Sequence, residues 1–312
     1  MNALLNRRSF LRASGVVYLG ALVAPRALAL PRAKRQNGGH LRSVAEVGPG
    51  ELLAVGDGGI VVNGTVENLN QSEASELGGA DLRAVASFGG SIIAIAAMAD
   101  GSNSVWSSAD GAAWTRLSGA LPEGLYLLDL VSVRGRLVAV GAKRDPESGE
   151  PAGGVVLLSQ DAVTWRPLPA EQLAAFDLSE GVVASVAASE NRAVAVGHGV
   201  NGSAVWASTD GANWIRTATS DDAAFADAAV TAVGTTNRQF LAVGSRVYDA
   251  LPLGWNSPDG SRWTRRELAL GEGAVVHDLA GTSSGYVLVG GVIGEGPAIW
   301  SSTDGQSWTR NL

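Results

Sequence analysis

A chain of 312 residues with 41 glycines and only 17% charged side chains is long enough to bury a sizeable core, and its composition excludes disorder and a coiled coil. Its 23 basic against 30 acidic side chains leave a net charge of −7, without the Lys/Arg clusters that neutralising phosphates requires, which argues against a nucleic-acid partner. It contains no cysteine, so disulfides, thiolate-bound zinc and a lipid anchor on a cleavage-site cysteine are excluded.

At the N-terminus, Asn6-Arg7-Arg8-Ser9-Phe10-Leu11-Arg12 precedes an apolar run from Ala13 to Ala24, followed by Pro25-Arg26 and Ala27-Leu28-Ala29. A charged region, a short apolar region and an A-x-A site in that order are the parts of a signal peptide. The apolar run is too short to cross the ~30 Å hydrocarbon core of a bilayer. Its arginine pair resembles the twin-arginine signal S/T-R-R-x-F-L-K, with Asn6 and Arg12 departing from that pattern. The resemblance implies export of an already folded chain to the periplasm or medium, with cleavage after Ala29 and no membrane anchor afterwards. Residues 1–29 hold four arginines and no acid, so the remaining chain carries 19 basic against 30 acidic side chains, a net of −11.

Beyond a linker at 30–40 the chain repeats. Leu41 to Val47 and Leu52 to Gly56 form a first pair of short apolar runs, followed by weaker ones at Ile60 to Asn63 and Val66 to Leu69. Pairs of the same kind recur at Leu82–Ala86 with Ile92–Ala96, at Leu128–Ser132 with Leu137–Gly141, and at Val182–Ala187 with Ala193–Gly197. Two more lie at Ala229–Val233 with Phe240–Gly244 and at Val275–Ala280 with Tyr286–Gly290. All but the first are followed by W-x-S-x-D-G-x-x-W, ending at Trp114, Trp165, Trp214, Trp263 and Trp308 with spacings of 51, 49, 49 and 45. The copy ending at Trp165 has Leu157 for the first Trp and Ala162 for the Gly. Short Val/Ala/Leu/Ile runs bounded by Gly, Asn, Asp and Ser read as strands and turns. Four strands in each of six units predict an all-β chain, a six-bladed β-propeller of four-stranded antiparallel blades over 41–312, with seven blades as the minor alternative.

S-x-D-G-x-x-W resembles the Asp-box (BNR) repeat, although it is one residue shorter than S-x-D-x-G-x-T-W. The resemblance places the chain among sialidase-like, sortilin-like and photosystem II assembly factor-like propellers. Asp110, Asp161, Asp210, Asp259 and Asp304 suit the first position of a tight turn, where a carboxylate accepts the turn's own N–H groups. The following glycines supply a backbone conformation costly for other residues. The closing Trp residues are expected to cover the turns and pack between blades. Recurring once per blade, these residues cannot converge on one ligand. Trp106, Trp206, Trp255 and Trp300 on the third strands complete the nine tryptophans, leaving none for a sugar-stacking platform.

The candidate ligand or partner face is therefore the opposite one, where loops between second and third strands present Asp57, Lys143, Arg144, His198, Arg246, Tyr248 and Asp249. Asp129 and Asp278 hold matching positions on innermost strands of opposite blades, with His277 beside the latter, and are expected to line the central channel. His40, His198 and His277 lack metal-ligand spacing, and no nucleophile elbow or phosphate loop is present. No catalytic residue, metal or cofactor is assigned. The expected function is an exported, monomeric binding or assembly scaffold with a protein or glycan partner in the cell envelope. The alternative, a sialidase-like glycoside hydrolase, requires three arginines gripping one carboxylate. Arg42, Arg83 and Arg246 are the candidates, and their convergence is the test.

Overall fold

The computed structural model describes residues 40–119, 121–175, 178, 181–199, 202–219, 222–236 and 239–312. The expected signal peptide and most of the linker lie outside the described residues. Six sheets of four consecutive antiparallel strands span residues 41–73, 81–116, 125–167, 182–219, 228–267 and 274–310. The chain is a six-bladed β-propeller, with blades numbered here in chain order. Ile60–Thr65 and Asn68–Glu73, whose pattern is weak, complete blade one as full strands.

Each second strand is a continuous apolar run, such as Leu137–Ala142 with every side chain buried, because both of its faces are covered by neighbouring blades. One apolar cluster fills each of the six seams, and the third-strand Trp206, Trp255 and Trp300 are at most 1% exposed. Among the described residues blades six and one share no strand. Their seam is closed by Leu41, Val44, Leu52, Ala54 and Val62 packing on Val287, Val289 and Ile299. A short α-helix, Ala170–Ala175, bridges blades three and four and buries Leu173.

The repeated turns join third and fourth strands on one face. In each, Asp Oδ1 accepts the N–H groups two and three residues on, at 2.7–3.2 Å. The Ser hydroxyl accepts the glycine N–H at 2.8–2.9 Å in four of them. At Gly111 and Gly211, φ is +77° and +75°, and an added Cβ would lie 2.7 Å from Leu53 or Val138 of the preceding blade. The indole N–H of Trp114, Trp165 and Trp214 closes its own turn on a backbone carbonyl. Trp263 and Trp308 are half-buried, and their N–H groups lack that bond.

Candidate functional site at the channel mouth

The innermost strands begin on the face opposite the turns, and each carries a one-residue bulge at the same place. The bulged residues, from blade one to six, are Arg42, Arg83, Leu128, Ala184, Thr231 and His277. A bulge re-aims its side chain away from the ladder, so six repeats of one irregularity make a ring at the channel mouth. Blades six, one and two place basic residues there, and blades three, four and five do not.

Arg42 forms a forked pair with Asp57, Nε to Oδ1 at 2.8 Å and Nη2 to Oδ2 at 2.9 Å. Asp57 also accepts the His40 amide at 3.1 Å. His40 Nδ1 lies 2.9 Å from His277 Nε2 and Arg42 Nη1 lies 3.5 Å from it, so blade one grips blade six through an imidazole pair. On blade two Arg83 pairs with Asp81 at 3.2 Å, and Asp81 accepts the Gly58 amide of blade one at 2.9 Å. Burial, reinforced by the Arg42 charge, holds both imidazoles below the ordinary histidine range and hence neutral. For Asp57 burial alone would raise the carboxyl, yet the Arg42 hydrogen bonds and charge hold it below the carboxylate range.

Immediately after the bulges stand Ser43, Ala84, Asp129, Ser185, Ala232 and Asp278, the sequence Ser-Ala-Asp given twice around the ring. Asp129 accepts the Leu130 amide at 2.7 Å, then crosses to blade four for the Val186 amide and Ser185 hydroxyl, both at 2.8 Å. Ser185 in turn accepts the Val233 amide of blade five at 3.1 Å. Asp278 repeats this with Leu279 at 2.7 Å, Val44 at 2.9 Å and the Ser43 hydroxyl, and Ser43 accepts the Val85 amide of blade two at 3.2 Å. Blades three-four-five and six-one-two are thus stitched into two arcs. Alanines at Ala84 and Ala232 leave the seams between blades two and three and between five and six without this stitch. Both carboxyls are pushed up by burial, that of Asp129 also by the charge of Asp278. They line a channel cavity of about 280 Å3.

The remaining predicted face residues do not join this centre. Arg246 pairs with Asp249 at 3.0 Å and Glu267 at 2.7 Å within blade five, beside Tyr248, which is 80% exposed. His198 ends a second strand of blade four, where burial depresses it to about 4. Lys143 is exposed, and Arg144 lies on the Tyr126 ring of blade three, 4.1 Å from its centre. Arg42 and Arg83 therefore meet at the mouth while Arg246 has two carboxylates of its own elsewhere, and these three arginines do not converge on one site. No group of three or more His, Cys, Asp or Glu able to hold a metal occurs among the described residues. The His40–His277 contact joins residues 237 apart in sequence and has no local signal.

No family model matches the sequence, and no curated protein matches it. The chain is similar to the solved structure of YCF48 bound to D1 peptide, with a TM-score of 0.51 at 14% identity over 88% of this chain and 81% of that one. It is also similar to the GH74 xyloglucanase from Xanthomonas campestris, with a TM-score of 0.55 at 15% identity over 88% of this chain and 45% of that one. A third likeness is to Penicillium chrysogenum α-L-arabinanase complexed with arabinobiose, with a TM-score of 0.51 at 13% identity over 73% and 79%. The chain spans less than half of the xyloglucanase. At these identities the likeness is one of fold, and the fold serves binding proteins and hydrolases alike.

Proposed function

We propose that this protein is an exported binding or assembly scaffold of the Asp-box group, which engages a partner in the cell envelope through the face opposite the repeated turns. One observation carries the reading. The Asp and Ser side chains of the five turns bond their own backbone, whereas charged groups that differ from blade to blade gather on the opposite face. A propeller neighbour bound to a peptide supports a protein partner. The paired state of Arg42, Arg83 and Arg246 speaks against a sialidase-type site.

Export follows from Arg7-Arg8 and the apolar run after them, with release after Ala29 as a monomer into the periplasm or medium. Replacing both arginines with lysine should hold the precursor in the cytoplasm, read by fractionation. The function itself is tested by cross-linking the mature protein in its native envelope and recovering what is bound. A recovered protein partner supports the scaffold. Recovery of none overturns it, and cleavage of a fluorogenic sialoside would then point to the hydrolase.

A further inference from the structure

Where blade two meets blade three, a cleft of about 860 Å3 is lined by Arg144 and the Asp100–Asn103 loop of that face and, along the outer edge, by Arg116 on the fourth strand of blade two. It lies at one of the two seams that lack a side-chain stitch in the channel wall. Arg116 and Arg144 line it together with Leu117, Leu121 and Pro122.

Both arginines are set apart from the rest of the surface. Residues 40–312 carry 16 basic against 30 acidic side chains, yet neither Arg116 nor Arg144 makes an ion pair among the described residues. Arg144 is held in place before any ligand arrives. Its guanidinium lies on the Tyr126 ring, the Tyr126 hydroxyl donates to the Gly149 carbonyl at 2.7 Å, and its own amide donates to the Gly124 carbonyl at 2.7 Å. The loop behind it is pinned by Asp145, whose carboxylate accepts the Glu147 and Ser148 amides at 3.0 and 2.7 Å. A guanidinium fixed in this way loses little freedom when it takes a carboxylate. Two acids share the cleft. Asp100 is turned into its own loop, accepting the Ser102 hydroxyl at 2.6 Å and amide at 2.9 Å, and Glu123 stands exposed at the rim.

We propose that this cleft binds an acidic segment of a protein partner, with an Asp or Glu carboxylate taken between Arg116 and Arg144. The proposal rests on the reading of this face as the docking face and gives the partner its chemistry. A glycan fits less well, because no Trp lines the cleft and Arg144 covers the Tyr126 face that a sugar ring would stack upon.

The test is fluorescence anisotropy of the mature protein with a labelled oligoglutamate peptide, alongside an oligoglutamine peptide and an oligogalacturonate. Oligoglutamate should bind and weaken as salt rises. Charge-assisted hydrogen bonds of roughly 1.5–3 kcal/mol translate into a loss of about tenfold or more for R116Q/R144Q. Arg116 is exposed, so R116E tests the charge without disturbing Tyr126, and D100N should tighten binding. Equal affinity of wild type and R116E, or binding of oligogalacturonate alone, overturns the proposal. Envelope cross-linking separates it from the broader reading. If R116E recovers the same partner as wild type, the cleft is excluded and the scaffold stands. If neither protein recovers a partner, the scaffold reading itself fails.

Discussion

On the turn face, five aspartates make the same two backbone hydrogen bonds, and the serine and glycine beside them repeat with little change. At the channel mouth one position, the bulge of the innermost strand, is His277, Arg42 and Arg83 in three consecutive blades and Leu128, Ala184 and Thr231 in the others. Blades two to six meet the same packing problem at this turn, so the same residues recur there. The mouth is shared by all blades at once, and no packing requirement forces them to agree. Repetition therefore marks structure in this fold, and its breakdown marks where a ligand can be told apart.

The channel wall stands between these regions, repeating every third blade, and it gives the largest expected effect. Asp278→Ala would leave the Val44 and Leu279 amides and the Ser43 hydroxyl without their acceptor at a seam that shares no strand. The expected loss is about 2–4 kcal/mol, measured by urea unfolding. Asp278→Asn keeps an acceptor and should cost about half as much. Equal stability of Asp278→Ala and wild type would show that apolar packing alone closes the ring.

The turns should be sensitive to shape. Gly211→Ala places a methyl 2.7 Å from Val138 Cγ2 at a φ of +75°, and is expected to cost about 1–3 kcal/mol. The Asp-containing turn of blade three already carries Ala162 at a φ of +61°, with its side chain 2% exposed. Ala162→Gly should accordingly stabilise the protein by up to ~1 kcal/mol, and thermal unfolding of the two variants reads opposite signs at one structural position.

Acid also separates the regions. Backbone hydrogen bonds depress the turn carboxyls, to about 2 at Asp161, so their contribution is present above the ordinary value of 3.8 and is lost as pH falls below it. Burial raises Asp129 and Asp278, so their contribution is present in acid and is lost as pH rises through their folded values. His198 is depressed from 6.5 to about 4. The folded form resists a proton that the unfolded chain accepts, and stability should fall between pH 6.5 and about 4, by on the order of 2–3 kcal/mol. His198→Gln should reduce the loss in that part of the pH profile, leaving the share of the depressed His40 and His277 and the turn-dependent loss below it.

The turn face was legible in the sequence because its residues are consecutive and its Trp spacing is nearly constant. Asp129 and Asp278 were legible as acids out of place on inner strands. Their purpose was not, since Asp278 reaches Val44 across 234 positions. A signal for it existed in the Ser43-Ala84-Asp129 and Ser185-Ala232-Asp278 series, which emerges only when the six inner strands are set in register on their bulges. The pairing of Arg42 with Asp57 and of His40 with His277 left no such series, because it occurs at one mouth and in one copy.

Arg246→Gln is expected to have the smallest effect. Its carboxylate partners Asp249 and Glu267 are 52% and 67% exposed, and surface pairs of this kind contribute about 0–1 kcal/mol. Screening by salt should remove even that difference, so the two proteins should unfold together in high salt. Affinity for oligoglutamate should stay unchanged as well, since Arg246 is on blade five and the cleft lies between blades two and three. A drop in that affinity would mean that the face attracts acidic ligands through its summed charge. Unchanged affinity beside a large loss in R116E would place recognition in the cleft, where the symmetry of the disc is broken.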